Sequence, residues 1–150
     1  MAKIPKSALY LGLAGVLPFI WGVATELLPP LYDLGLGTLG PRFVGQYVQV
    51  AYGTVILAFM SGVLWGFATR TEGQAAAAGY GLSTLPALWA FFFVGGGADR
   101  AAGFLIAGYL GLLGLDYLFW RYGLTPEWWM QLRNLLTLLV VGCLTLGLLL

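Results

Sequence analysis

The stretch Ala51-Tyr52-Gly53-Thr54-Val55-Ile56-Leu57-Ala58-Phe59-Met60-Ser61-Gly62-Val63-Leu64-Trp65-Gly66 decides the fold, because it carries no charge and shows no period-two alternation of apolar and polar residues. It lies within a longer apolar run from about Phe43 to Thr69. A run of that length crosses a bilayer, and in hydrocarbon its backbone groups must bond within the segment, so it is a helix and not a barrel strand. Four further runs read the same way: Ser7 to Leu28, Ala76 to Val94, Ala101 to Trp120 and Trp129 to Leu150. The fold class is therefore all-α, a single bundle of five transmembrane helices.

Composition agrees. Of 150 residues 60% are hydrophobic and only 13 are charged, against roughly 25% charged in a soluble domain. Five helices of about 20 residues leave room for short connections and no second domain. A net charge of +1 gives no footprint for nucleic acid. There is no histidine, and Cys143 is the sole cysteine, so histidine-ligated haem, zinc clusters, iron–sulfur centres and Ser-His or Cys-His pairs are excluded. No cofactor is implied and no catalytic constellation is visible.

The first run follows Lys3 and Lys6 and is closed by Pro29-Pro30; with Pro18 and Trp21 inside it and no cleavage pattern, it reads as a retained span. Lys3, Lys6, Arg70, Arg121 and Arg133 fall on one side of the membrane, and Arg42 and Arg100 on the other. That asymmetry places the N-terminus inside and the C-terminus outside. The longest connection, Pro29 to Arg42, reads as irregular or interface-lying chain on the outer side. Between the last two spans, Gly123 should stop one helix, Thr125 cap the next, and Trp128 and Trp129 anchor it at headgroup depth.

Leu17-Pro18-Phe19-Ile20-Trp21 in the first span recurs as Leu85-Pro86-Ala87-Leu88-Trp89 in the third, and Trp65 aligns with Trp120 in the second and fourth. This suggests a duplicated two-helix unit plus a fifth helix. Small residues recur four apart in two places, as Ala58, Gly62 and Gly66 and as Gly103, Ala107 and Gly111. Such faces let helix backbones approach, and the first expectation is that they pack inside the bundle, the second that they receive partner helices.

Asp116 is the costliest residue, about 7.5 Å into its helix from Arg121 at 1.5 Å per residue. Arg121 points to another face, so Arg133 and Arg70 are the better partners, with Trp65 nearby. The group forms either a clamp joining three helices or a site for a proton or ligand. On the opposite side Glu26, Gln46 and Gln49 form a candidate second polar cluster. Little beyond Thr54 and Ser61 connects the two depths, which weakens a channel.

The Ala51–Gly66 stretch, Asp116, Pro126-Glu127-Trp128-Trp129, Leu132-Arg133 and Leu136-Thr137 together resemble the uncharacterised membrane family that includes transmembrane protein 69. The resemblance implies a five-helix bundle of bacterial inner or mitochondrial membranes and brings no activity. In that family's pattern histidine commonly precedes the Trp-Gly pair, where this chain has Leu64. Size and tryptophan content are also similar to the tryptophan-rich sensory proteins, whose motifs are not visible here. The leading functional expectation is a non-enzymatic accessory, assembly or stabilising component, with lipids, other membrane proteins or a second copy as partners. The alternative is a binder or carrier of a lipophilic molecule or ion at Asp116 and Arg133.

Overall fold

The computed structural model describes residues 3–150. Five helical segments are long and apolar enough to cross a membrane: Lys6–Leu27, Gly45–Ala68, Gly73–Phe93, Ala98–Arg121 and Trp129–Leu149. The second, fourth and fifth are unbroken and are called α4, α7 and α8. The first and third are each interrupted, into α1 (Lys6–Ala14) and α2 (Leu17–Leu27), and α5 (Gly73–Ser83) and α6 (Leu85–Phe93). Both breaks sit just before the Leu-Pro pairs, and Pro18 and Pro86 occupy the first turns of α2 and α6. Proline has no N–H and its ring crowds the preceding turn, so the chain restarts instead of continuing. Around the first break the backbone tightens to three-residue bonds, Val16 N–H to the Leu13 carbonyl and Phe19 N–H to the Val16 carbonyl, each 3.0 Å.

Two expectations about connections are corrected. Pro29 to Arg42 is mostly ordered helix, α3 (Pro29–Thr38), followed by a short 3-10 turn at Pro41–Phe43. Pro29-Pro30 closes one helix but also fills the first positions of the next, where a missing N–H costs nothing. Thr125 does not cap α8, which begins at Trp129; the Thr125 hydroxyl donates to the neighbouring Pro126 carbonyl instead. Gly123 does end α7: it adopts φ +74°, and the Leu124 N–H reaches back to the Phe119 carbonyl at 3.0 Å.

α4 is the central helix. It packs against α2, α5, α6, α7 and α8, while α8 lies mainly against α7 and α2. Helices in lipid gain no hydrophobic free energy by touching, so dispersion at close range must hold them. The close approach of α4 and α7 depends on two glycines. A Cβ on Gly108 would lie 2.8 Å from both Leu57 Cδ2 and Trp89 Cδ1, and one on Gly53 would lie 3.0 Å from Leu105 Cδ1. The Tyr109 hydroxyl, from α7, donates to the Gly53 carbonyl at 2.6 Å across this seam.

The repeated small residues are elsewhere. Ala58, Gly62 and Gly66 on α4, and Gly103, Ala107 and Gly111 on α7, are all exposed, and a Cβ on any of these four glycines would meet nothing within 4 Å. The expectation that both stripes pack inside the bundle is corrected: they face outward. The two-helix units do share a feature that follows from the Leu-Pro repeat. Trp21 donates its indole N–H to the Phe43 carbonyl and Trp89 donates to the Phe104 carbonyl, both at 2.7 Å. Trp21 thus ties its unit's first span to the turn that leads into the second, and Trp89 ties its span directly to the next.

Candidate functional site

The buried ionic site lies between α7 and α8. Asp116 is fully buried at 0% exposure, and Arg133, at 6%, donates its Nε–H to Asp116 Oδ2 at 2.8 Å. Trp129 donates its indole N–H to Oδ1 at 3.0 Å, so each carboxylate oxygen has a donor. Trp129 and Arg133 are four residues apart on α8 and therefore share a face. The distance and charges make this a strong, charge-assisted bond, and removing either ion would strand the other away from water. The Trp129 ring also packs edge-on against Phe67 of α4, with centroids 5.0 Å apart. Trp129 is therefore more than a headgroup anchor, and its spacing from Arg133 was the signal for it.

The other residues expected here lie apart. Arg70 is exposed and donates to the Leu124 carbonyl at 3.2 Å, tying the end of α4 to the loop between α7 and α8. Trp65 is half-exposed and packs on Tyr80 of α5 at 4.5 Å between centroids. Leu64, the residue before the Trp-Gly pair, is fully buried in the core. Arg121 leans on the Tyr117 hydroxyl at 3.4 Å, one turn back on its own helix. The clamp is thus a pair of helices joined by Asp116, Arg133 and Trp129, and Arg70 and Trp65 are not members of it.

Glu26, Gln46 and Gln49 do not form one hydrogen-bonded cluster. Gln49 is buried, and its amide donates to the Phe19 carbonyl of α2 at 3.0 Å and the Cys143 carbonyl of α8 at 3.1 Å, so one side chain joins three helices. Its Oε1 and the Gln46 Nε2 are buried without a partner. Glu26 is exposed with its carboxyl over Gly45, whose N–H is taken by the Thr25 hydroxyl at 2.8 Å.

Outside the core, α6 and α7 enclose an apolar groove of about 540 Å³. Ala107 and Gly111 form its floor, and Leu88, Trp89, Phe92 and Phe93 form a wall. Phe92 is 69% exposed, so the groove faces what surrounds the bundle.

These features define a polytopic integral membrane protein with five spanning segments among the described residues, joined internally by the Asp116–Arg133 ion pair and the buried Gln49 amide. Residues 4–149 match the family described as a protein of unknown function (DUF3429), and the chain belongs to that family. It is 38% identical over 141 residues to transmembrane protein 69 of Xenopus tropicalis, covering 91% of this chain and 51% of that protein. It is 41% identical over 63 residues to transmembrane protein 69 of Mus musculus, covering 42% of this chain and 22% of that protein. The chain thus spans about half the length of the Xenopus relative. No solved structure matches it.

Proposed function

We propose that this chain is a non-catalytic accessory component that holds or assembles other membrane proteins, taking a transmembrane helix of a different protein into the α6/α7 groove. One observation carries the reading: Gly103, Ala107 and Gly111 turn away from the chain's own bundle, and Ala107 and Gly111 form the floor of that groove. A small-residue ridge is what a second helix needs for backbone approach in lipid, and exposed aromatics beside it supply large contact area at low entropic cost. The chain's own seam uses Gly53 and Gly108 for this purpose and leaves the ridge unused. The absence of a catalytic role is consistent with Asp116, whose two oxygens are both taken by Trp129 and Arg133.

The membrane we assign is the bacterial cytoplasmic membrane, with the N-terminus inside. With Arg133 withdrawn into its ion pair, Lys3, Lys6, Arg70 and Arg121 still outnumber Arg42 and Arg100.

The test is site-specific photocrosslinking from Gly103 at native expression level, compared with a variant whose groove is filled by Ala107→Phe and Gly111→Phe. Both positions are exposed, so the filled variant should keep the wild-type unfolding temperature. The reading expects a stoichiometric adduct with one other membrane protein that the filled variant loses. Adducts with lipid alone, an adduct of twice the chain's own mass, or an adduct that survives filling would each overturn it.

A further inference from the structure

A second cavity, of about 230 Å³, lies between the first span, α4 and α8, with Arg133 and, from α7, Tyr109 in its lining. Arg133 spends its Nε on Asp116, and its Nη1 and Nη2 donate to no described residue. The Thr137 hydroxyl, one turn further along the same face of α8, is buried at 3% exposure and has no partner. Tyr52 of α4 contributes a hydroxyl that makes no hydrogen bond to a described residue. Arg133 and Tyr52 therefore border one space with unused donors; the Thr137 hydroxyl oxygen is closed off from it, the Tyr109 hydroxyl is spent on the Gly53 carbonyl, and the rest of its wall is apolar. Leu11 and Phe59, on its border, are 74% and 62% exposed, which gives the cavity a way out to the surrounding acyl chains.

We infer that this cavity binds the carbonyl-bearing head of a neutral lipophilic molecule, received by Arg133 and Tyr52, with its tail leaving between Leu11 and Phe59. Buried donors without acceptors cost free energy, and a carbonyl oxygen supplies what they lack. Charge decides between neutral and anionic ligands. Asp116 already balances Arg133, so an anionic head would bring an uncompensated negative charge into a medium of low dielectric. Size decides how much of the ligand enters: the space is smaller than the roughly 300–1,000 Å³ of pockets that enclose whole drug-sized molecules. A ring or an ester group fits, and the chain attached to it stays in lipid. Two sources offer this chemistry, a quinone and the ester carbonyls of a glycerolipid. The inference is independent of the helix-docking groove, which lies against α6 and α7.

The test uses the purified full chain in detergent micelles and three probes with ten-carbon tails: decylubiquinone, didecanoylglycerol and decylbenzene. Retention is read by native mass spectrometry in the wild type and in a Tyr52→Phe variant that leaves Asp116 and Arg133 intact. At least one carbonyl probe should be retained at one per chain, decylbenzene should not, and the variant should hold the carbonyl probe about three- to tenfold less tightly, as expected for a lost neutral hydrogen bond. Retention of the quinone assigns the site to a ring carbonyl, and retention of the diester alone assigns it to bilayer lipid. Equal retention of decylbenzene, no retention of either carbonyl probe, or unchanged retention by the variant would overturn the inference. Tyr52→Phe keeps the ring packed on Phe19 and removes a hydroxyl that makes no hydrogen bond to a described residue, so the variant should unfold at or above the wild-type temperature, which separates lost binding from lost folding.

Discussion

Replacing Arg133 by Ala tests whether α8 is fastened by charge or by packing alone. In the wild type Asp116 has no exposed surface and two donors, Arg133 at 2.8 Å and Trp129 at 3.0 Å. Arg133→Ala leaves the carboxylate with the indole alone, and breaking a buried pair from one side costs about 3–5 kcal/mol. Translocon-based costs for a charged residue at the centre of a spanning helix, about 2.5–3.5 kcal/mol, give a similar figure. Asp116→Asn should cost less, about 1–2 kcal/mol, because the guanidinium keeps a neutral acceptor and its long stem can carry the charge toward the helix end. The double change Asp116→Leu with Arg133→Met removes both charges and should be near neutral. At about 2–4 °C per kcal/mol for a chain of this size, Arg133→Ala should lower the midpoint by about 6–20 °C and Asp116→Asn by about 2–8 °C. Thermal unfolding of all four proteins in one detergent, followed by circular dichroism, measures the order. The reasoning fails if both single variants unfold within about 1 °C of wild type, or if the double variant falls further than either.

Gly53→Ala and Gly108→Ala should each destabilise the bundle by about 1–3 kcal/mol through overpacking, whereas Gly62→Ala and Gly111→Ala should leave unfolding unchanged or slightly later; equal midpoints for the two sets would refute the assignment of inner and outer faces. Trp129→Phe keeps a ring against Phe67 but removes the second donor to Asp116, so it should cost about 1 kcal/mol, clearly less than Arg133→Ala; a loss as large as that of Arg133→Ala would make the indole the main partner. In a Cys143→Ser background, a membrane-impermeant thiol reagent added outside intact cells should label Thr38→Cys and spare Glu72→Cys. Labelling of both from one side would break the five-span topology, and labelling of Glu72→Cys alone would reverse its orientation.

The spans were legible because a bilayer leaves a long uncharged run only one way to satisfy its backbone, and the observed ends fall within three residues of those read from hydrophobicity. The pairing of Asp116 with Arg133 was legible for a related reason: few charges lie at that depth. Which face of each helix turns inward was not. α4 is apolar on all sides, so spacing of four residues puts Ala58, Gly62 and Gly66 on one face without saying what that face touches. The glycines that do permit close approach, Gly53 and Gly108, lie off those stripes. Gln49 was read as part of an interfacial cluster because it lies early in its span, yet it bridges α2 and α8 from a buried position. A glutamine in lipid satisfies its amide wherever neighbouring carbonyls are reachable, and that depends on helix crossings the sequence does not display.

The alignment of Trp65 with Trp120 gives the fifth helix a physical reason. At the same offset Gly53 falls on Gly108, Leu57 on Leu112, Ser61 on Asp116 and Leu64 on Phe119, and all eight are buried. The polar position in this register turns to a different neighbour in each unit. Ser61 accepts the Ala87 N–H at 2.8 Å, meeting a donor at the start of α6 just after Pro86. Asp116, one unit later, meets α8 instead. A helix surrounded by Leu and Val can slide or rotate on its neighbour at little cost, since lipid and protein are equally apolar. A rotation of one residue, about 100°, would carry Arg133 off Asp116 and leave both charges stranded, so the pair fixes the register of α8. The same register places Arg133 and Thr137 in the lining of the cavity beside the first span, so the residue that secures the added helix also borders that cavity.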